Sequence, residues 1–273
     1  MIYKNYLVVA SKLDKAGINI ITQLNQFCHY KLYLRNEEII SDENLDLERI
    51  NKFDFIIFAS KHQSAKKEKS ICVHAPGNWR IAEFGGENRK VCKTSALFSK
   101  KIFEKLNENA KKYRLRDYNI TLEATHHGPL INKPCIFVEI GSTETEWNDK
   151  IAGFVVAKTI SEMMINFKPN PYHEIAVGIG GPHYCPNFNK IQLSSNIAVS
   201  HVIPQYSLPA TEEMIKEAIQ KTDEEVDLVL LDWKGLGSAE HRQELIDVLD
   251  RLHINYKKTR GLSEEDEEEV EKD

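Results

Sequence analysis

The sequence contains no run of about 18 apolar residues, so no membrane-spanning helix is expected. It has no CxxC pair. Its five cysteines, Cys28, Cys72, Cys92, Cys135 and Cys185, are odd in number and widely spaced. That argues against a disulfide framework and against a four-cysteine zinc module. The absence of GxSxG removes a standard serine α/β-hydrolase. HExxH is missing too, which removes a zincin, and neither GxGxxG nor GK[ST] is present to mark a dinucleotide or P-loop site. No internal repeat and no Pro/Gly/Ser-rich linker divides the chain. The first five residues, MIYKN, lack the features of a secretory signal, so a cytoplasmic location is expected.

What is present suits a soluble globular protein with a sizeable core: 41% hydrophobic and 28% charged residues. The formal net charge of −5 sits largely at one end. Residues 263–273, SEEDEEEVEKD, hold eight acids and one lysine, and without them the remainder carries +2. Such a tail repels itself and has nothing apolar to bury, so it is expected to be disordered. The near-neutral body is compatible with an RNA partner.

Apolar patterning alternates between strand and helix. Strands are expected at 6–10, 53–59, 71–73, 120–124, 135–140, 174–179, 198–203 and 226–231. Helices are expected at 15–27, 96–113, 147–165, 211–221 and 239–252, with Ile151, Phe154, Val155, Ile160 and Met164 as core candidates in the third. Several strands are continuous apolar runs, as when helices cover both faces of a sheet. The reading is a three-layer α/β sandwich with a mixed, mostly parallel sheet. One domain spans 1–262, with room for an inserted lobe at about 77–115.

The unusual residues fall just after strands, where open α/β sheets build their sites. Residues 71–79 read ICVHAPGNW and deliver His74, with Asn78, into a Pro-Gly turn. LEATHHGPL, at 122–130, places His126 and His127 side by side. In extended backbone they would face opposite ways, but a turn at Gly128-Pro129 lets both approach one site. VEIGSTETEW, at 138–147, carries Glu139 at a strand end within an apolar context, where a buried charge needs a partner. Gly141, Ser142 and Thr143 then open a helix whose free N–H groups suit an anion. Glu144 and Glu146 read as first-turn acids. VGIGGPHYCP, at 177–186, is a close-packed loop with Gly180 and Gly181 that displays His183, Tyr184 and Cys185. Asp232 and Lys234, in LDWKGLG, suit a general base and a phosphate contact. His201 reads equally as a core or a functional histidine. The lysines of 100–116 read first as a solvated helix face and secondarily as phosphate contacts.

VHAPGNW, EATHHGP, VEIGSTETEW, GIGGPHYCP and DWKGL, in this order and spacing, resemble the archaeal and plant-type D-aminoacyl-tRNA deacylases. The resemblance runs over about residues 7–260. It implies hydrolysis of the ester joining a D-amino acid to the terminal ribose of tRNA, a zinc requirement, and a fold akin to the phosphorylase and peptidyl-tRNA hydrolase group. His74, His126, His127, Glu139 and His183 are then the expected zinc ligands. His126, His127, Glu139, His183 and Asp232 are expected to carry catalysis. His74, Asn78, Gly141, Ser142, Thr143, Gly180, Gly181 and Lys234 are expected to hold substrate. A metal-free route would use a histidine base and glycine-loop N–H groups as an oxyanion hole. Two rival readings are a peptidyl-tRNA hydrolase-like or nucleoside phosphorylase-like enzyme, and a non-catalytic tRNA-binding protein. The histidines and glycines of the strand-end loops favour catalysis. The expected partner is D-aminoacyl-tRNA, with no DNA and no membrane, and the expected state a monomer or weak homodimer.

Overall fold

The computed structural model describes residues 3–27 and 29–262; the acidic tail lies outside them. In chain order the strands are β1 (Tyr6–Ser11), β2 (Lys31–Arg35), β3 (Phe55–Lys61), β4 (Ser70–His74), β5 (Gly77–Asn78), β6 (Lys90–Val91), β7 (Asn119–Leu122), β8 (Cys135–Gly141), β9 (Glu174–Ile179), β10 (Ile197–Ile203), β11 (Leu228–Leu231) and β12 (Tyr256–Lys258). The helices are α1 (Lys15–Leu24), α2 (Leu47–Ile50), α3 (Ala96–Lys112), α4 (Glu144–Trp147), α5 (Lys150–Asn166), α6 (Pro186–Ser194), α7 (Glu212–Gln220) and α8 (Ala239–Arg251). Side-chain caps start them: Asp14 accepts from Gly17 N at 2.8 Å, Ser95 from Phe98 N at 3.0 Å, and Asp149 from Ile151 N at 2.8 Å.

The α/β class and the mostly parallel strands hold, and the strands divide between two main sheets. The larger sheet has the order β2-β1-β3-β8-β4-β7, with β4 antiparallel to β8 and all other pairs parallel. The smaller, β10-β9-β11-β12, is wholly parallel. Continuous apolar runs such as Phe55–Lys61 are buried along nearly their whole length because helices flank the sheets.

Helix α3 ties the two halves together. It lies within 77–115, but Phe98, Ile102, Phe103 and Leu106 are fully buried in the core shared with β3, β9 and β10. Phe98 stacks on Phe55 with ring centroids 4.1 Å apart. Emptying such a site by Phe→Ala typically removes about 3–5 kcal/mol.

The expected helix 147–165 is in fact two, because Asp149 caps a new start after Trp147. That turns Ile151, expected in the core, outward to 55% exposure, whereas Val155 and Ile160 are buried.

The segment that matters most follows β7. Instead of continuing the expected strand to residue 124, the chain makes its last bond to β4 at Glu123, and residues 124 and 125 turn to other partners. Glu123 N–H donates to Val73 O (3.0 Å), Ala124 N–H to His183 O (2.8 Å) and Thr125 N–H to Val202 O (3.1 Å). The chain therefore threads the seam between the two sheets, sewn to β4, to the glycine loop and to β10.

Candidate active site

Along this seam the fold gathers five histidines and two carboxylates. His74 ends β4 and stacks on Phe137 of β8, with centroids 5.2 Å apart and planes 3° from parallel. The antiparallel β4–β8 register sets His74 opposite Phe137 and Cys72 opposite Glu139. Glu139 lies inside β8, not at its end as expected.

His126 and His127 reach the same site because His127 adopts a left-handed φ of +41. A non-glycine residue there is uncommon and points to a functional constraint. The result is three imidazoles in contact: His74–His126 centroids are 4.2 Å apart, His126–His127 4.3 Å and His74–His127 4.9 Å. His183, from the glycine loop, adds a fourth at 4.6 Å from His126.

The tautomers are fixed by backbone carbonyls. His74 Nδ1 donates to Ala75 O (3.2 Å), His126 Nδ1 to Ala124 O (2.8 Å) and His127 Nδ1 to Gly128 O (2.7 Å). A carbonyl oxygen can only accept, so each Nδ1 carries the proton and each Nε2 presents a lone pair. Metal-ligating histidines are usually held this way, by a second hydrogen bond on the far nitrogen. Ring nitrogens of the three histidines lie within 4.8 Å of one another. Donor atoms of Glu123, His126 and His183 form a second such group, and those of His74, Glu123 and Glu139 a third.

Two members were not singled out from the sequence. His62 follows β3; its Nδ1 lies 3.2 Å from Glu123 Oε1 and its Nε2 2.9 Å from the Tyr184 hydroxyl. Its own carbonyl accepts from Trp147 Nε1 at 2.9 Å. Glu123 sits at the centre: Oε1 lies 3.1 Å from His183 Nε2, and Oε2 lies 3.8 Å from His74 Nε2. Glu139 Oε2 is also 3.8 Å from His74 Nε2, and its Oε1 is 4.0 Å from His127 Nε2. The signal for Glu123 was a carboxylate directly after an apolar strand and three residues before a histidine pair.

Burial makes this cluster costly without a ligand. The side chains of His74 and Glu123 are inaccessible to solvent. His74 Nε2 and both Glu123 oxygens are buried without a well-formed hydrogen bond, although His183 Nε2 and His62 Nδ1 approach Glu123 Oε1 to 3.1 and 3.2 Å. Buried polar atoms are otherwise nearly always paired. Burial, then the charge of His127, pushes the His74 pKa down to about 3. Burial likewise lowers His127 to about 4 and His126 well below its usual range. The two carboxylates are driven apart. Burial, then repulsion from Glu123, raises Glu139 well above the usual range. Burial also opposes ionisation of Glu123, but the close approach of His183, His62 and His74 outweighs it and holds Glu123 low. The pair is thus biased in opposite directions, Glu139 toward the protonated form and Glu123 toward the ionised one.

Other expected site residues have different surroundings. Thr143 caps α4: its N–H and hydroxyl both reach Glu146 Oε2, at 3.0 and 2.6 Å. Ser142 Oγ donates to Glu68 O at 2.6 Å. The anion site expected at this helix start therefore gives way to internal partners. Gly141 has a packing reason, since a Cβ there would lie 2.6 Å from His62 Cδ2. Asn78 Nδ2 donates to Gly85 O (2.8 Å), which braces a loop. Asp232 is buried, accepts from Asn187 Nδ2 (2.9 Å) and abuts Gly181, so it buttresses the glycine loop without meeting the cluster. Lys234 is exposed on a short turn. Gly180 N–H goes to Ile203 O (2.8 Å), which removes it as an oxyanion donor. Cys185 is buried and its thiol faces His183 O. His201 is a core histidine, its two nitrogens against Thr125 Oγ1 (3.1 Å) and Lys221 O (3.4 Å). Lys100 is buried, donating to the Gln192 and Ser195 carbonyls, and is no phosphate contact.

A profile of the D-aminoacyl-tRNA deacylase family matches residues 49–257. The chain belongs to that family. A D-aminoacyl-tRNA deacylase of Pyrococcus furiosus is 34% identical over 92% of this chain and 98% of its own length. The Methanocaldococcus jannaschii deacylase is 32% identical over 87% and 93%. A crystal structure described as a conserved protein of unknown function superposes with a TM-score of 0.86 at 29% identity, covering 94% of this chain and 96% of that one. The family's reaction is hydrolysis of the aminoacyl-tRNA ester bond, so the chain is a hydrolase and tRNA is its substrate.

Proposed function

We propose that the seam cluster is where a D-amino acid is cut from the terminal ribose of tRNA, and that His74, His126 and His127 hold a zinc ion there. The observation that carries this is the convergence of three carbonyl-anchored imidazoles, one with a buried Nε2 that has no hydrogen bond, beside the buried carboxylates Glu123 and Glu139. The donor set fits: neutral imidazole nitrogens with carboxylates are common zinc ligands. When bound, zinc would polarise the ester carbonyl and lower the pKa of a water to about 7.

The protein's own groups then move the protons. Glu123, the ionised carboxylate, takes a proton from the attacking water as the new C–O bond forms. His183 Nε2, 3.1 Å away at the partly exposed edge of the cluster, receives that proton and passes it to the departing ribose oxygen as the ester C–O bond breaks. Glu139 remains protonated and keeps a second negative charge out of the site. His62 Nδ1, 3.2 Å from the same Oε1 of Glu123, helps to hold that carboxylate in place. A tRNA-directed hydrolase of this kind suits the cytoplasm.

The test is deacylation of matched D- and L-tyrosyl-tRNA by the purified protein, before and after chelation and with zinc restored. Loss on chelation and recovery with zinc, for the D-ester alone, supports the reading. Chelator-indifferent cleavage would remove the zinc assignment. Failure to prefer the D-ester would remove the chiral one.

A further inference from the structure

Three exposed aromatic side chains stand out among the described residues: Phe84, Tyr172 and Tyr206. Of these, Tyr206 meets a histidine of the cluster. Its hydroxyl is 3.0 Å from His183 Nδ1, yet the residue is 59% exposed. The hydroxyl faces inward while much of the side chain faces solvent.

The backbone beneath Tyr206 is clamped from both sides. It lies in a 3-10 turn (Gln205–Ser207) whose Gln205 N–H donates to Gly181 O at 2.9 Å. On the far side Arg80 grips the chain, with Nε and Nη2 donating to Ser207 O at 3.2 and 3.0 Å and Nη2 to Pro209 O at 2.8 Å. No packing need explains a rigidly held aromatic ring left open to water at this spot. Base recognition does, because an aromatic face held in place takes a nucleobase by stacking with little ordering penalty.

The substrate's geometry matches. In an aminoacyl-tRNA the scissile ester and the terminal base sit on one ribose. The Tyr206 and His183 ring centroids are 6.1 Å apart, and His183 is 4.6 Å from His126. A carbonyl held against the imidazoles thus leaves its terminal base within reach of Tyr206. We propose that Tyr206 is the stacking platform for the 3′-terminal adenine of the tRNA, and that its hydroxyl orients His183. This rests on the cluster being the site of ester hydrolysis. Tyr206 is a positioning and substrate-binding residue, not a catalytic one.

Two variants separate its roles. Tyr206→Leu removes ring and hydroxyl; Tyr206→Phe keeps the ring alone. Stacking of one base corresponds to about 5- to 150-fold in affinity. Tyr206→Leu is therefore expected to raise KM for D-tyrosyl-tRNA by that range. Tyr206→Phe should keep KM and lower kcat by about tenfold, the loss typical of an orienting partner. A direct probe needs no catalysis: an uncharged acceptor-stem RNA ending in 2-aminopurine, whose fluorescence falls on stacking. Quenching by wild type and Tyr206→Phe but not by Tyr206→Leu supports the proposal. Equal quenching by all three, or loss of quenching in Phe84→Leu instead, overturns it. Loss of D-ester cleavage by the wild type, with quenching intact, would fault the hydrolytic site and leave the stacking platform standing.

Discussion

Replacing Gly181 with alanine probes how the glycine loop holds His183. Gly181 sits at φ +78, which disfavours any L-residue by about 1–2 kcal/mol. An added Cβ would also lie 2.6 Å from Asp232 Oδ2. That carboxylate is buried and bonded to Asn187, so swinging it aside leaves a buried polar group unpaired, about 1–3 kcal/mol more. Gly181→Ala is thus expected to destabilise by about 2–5 kcal/mol if the loop holds. If the loop instead yields, His183 moves with it, and an ångström of misplacement lowers kcat/KM by about 100-fold. Urea unfolding and deacylation kinetics read the two terms. The double variant Gly181→Ala, Asp232→Ala removes the clash and should recover part of the activity. A single variant within about 0.5 kcal/mol of wild type and fully active would refute the reasoning, as would no recovery in the double.

Further outcomes follow from the cluster and the core. Glu123→Gln removes the ionised base and should lower kcat/KM by about 10²- to 10⁴-fold, whereas Glu139→Gln imitates a carboxyl that is already protonated and should stay within about tenfold; equal losses would contradict the division between them. Zinc at 100 times its dissociation constant should raise the stability of chelated protein by about 2.7 kcal/mol, read as a shift in thermal midpoint, and His126→Ala should abolish most of it. His201 is buried with a pKa lowered to about 4, chiefly by burial. The unfolded chain takes up that proton near pH 6.5 and the native chain only near 4, so stability falls as pH drops through that window, by up to about 1.4 kcal/mol per unit. Titrating unfolding from pH 7 to 4 should show a shallower acid slope for His201→Gln than for wild type, and an unchanged slope would show that His201 does not contribute.

Much of the site was legible because it breaks composition rules locally. The His126-His127 pair and the Gly180-Gly181-Pro182-His183 loop are residue types that a strand end does not need for packing. The left-handed φ of His127 that unites the pair was not legible, since nothing in a histidine pair encodes it. His62 was hidden among polar neighbours after β3, where a surface loop looks the same. The helix start at Gly141-Ser142-Thr143 was read as an anion site although Thr143-x-x-Glu146 carries the capping-box spacing, and the structure uses it that way. The division into two sheets was also out of reach. Continuous apolar runs report burial on both faces, but not which distant strand is the neighbour.

His201 and His74 show what separates a packed histidine from one built to bind. Both are buried and kept neutral by burial. His201 has a partner at each ring nitrogen. His74 has a carbonyl at Nδ1 and none at Nε2, which instead faces two carboxylates at 3.8 Å. A fold selected for stability alone would pair that atom or replace the ring with an apolar one. Around it lie a fully buried carboxylate, a left-handed histidine and a glycine kept bare so that His62 can approach. Departures from local preference that converge on one point are the mark of a site under functional constraint. A cation held there would take lone pairs from imidazole and carboxylate together, which is why the proposed zinc suits this point.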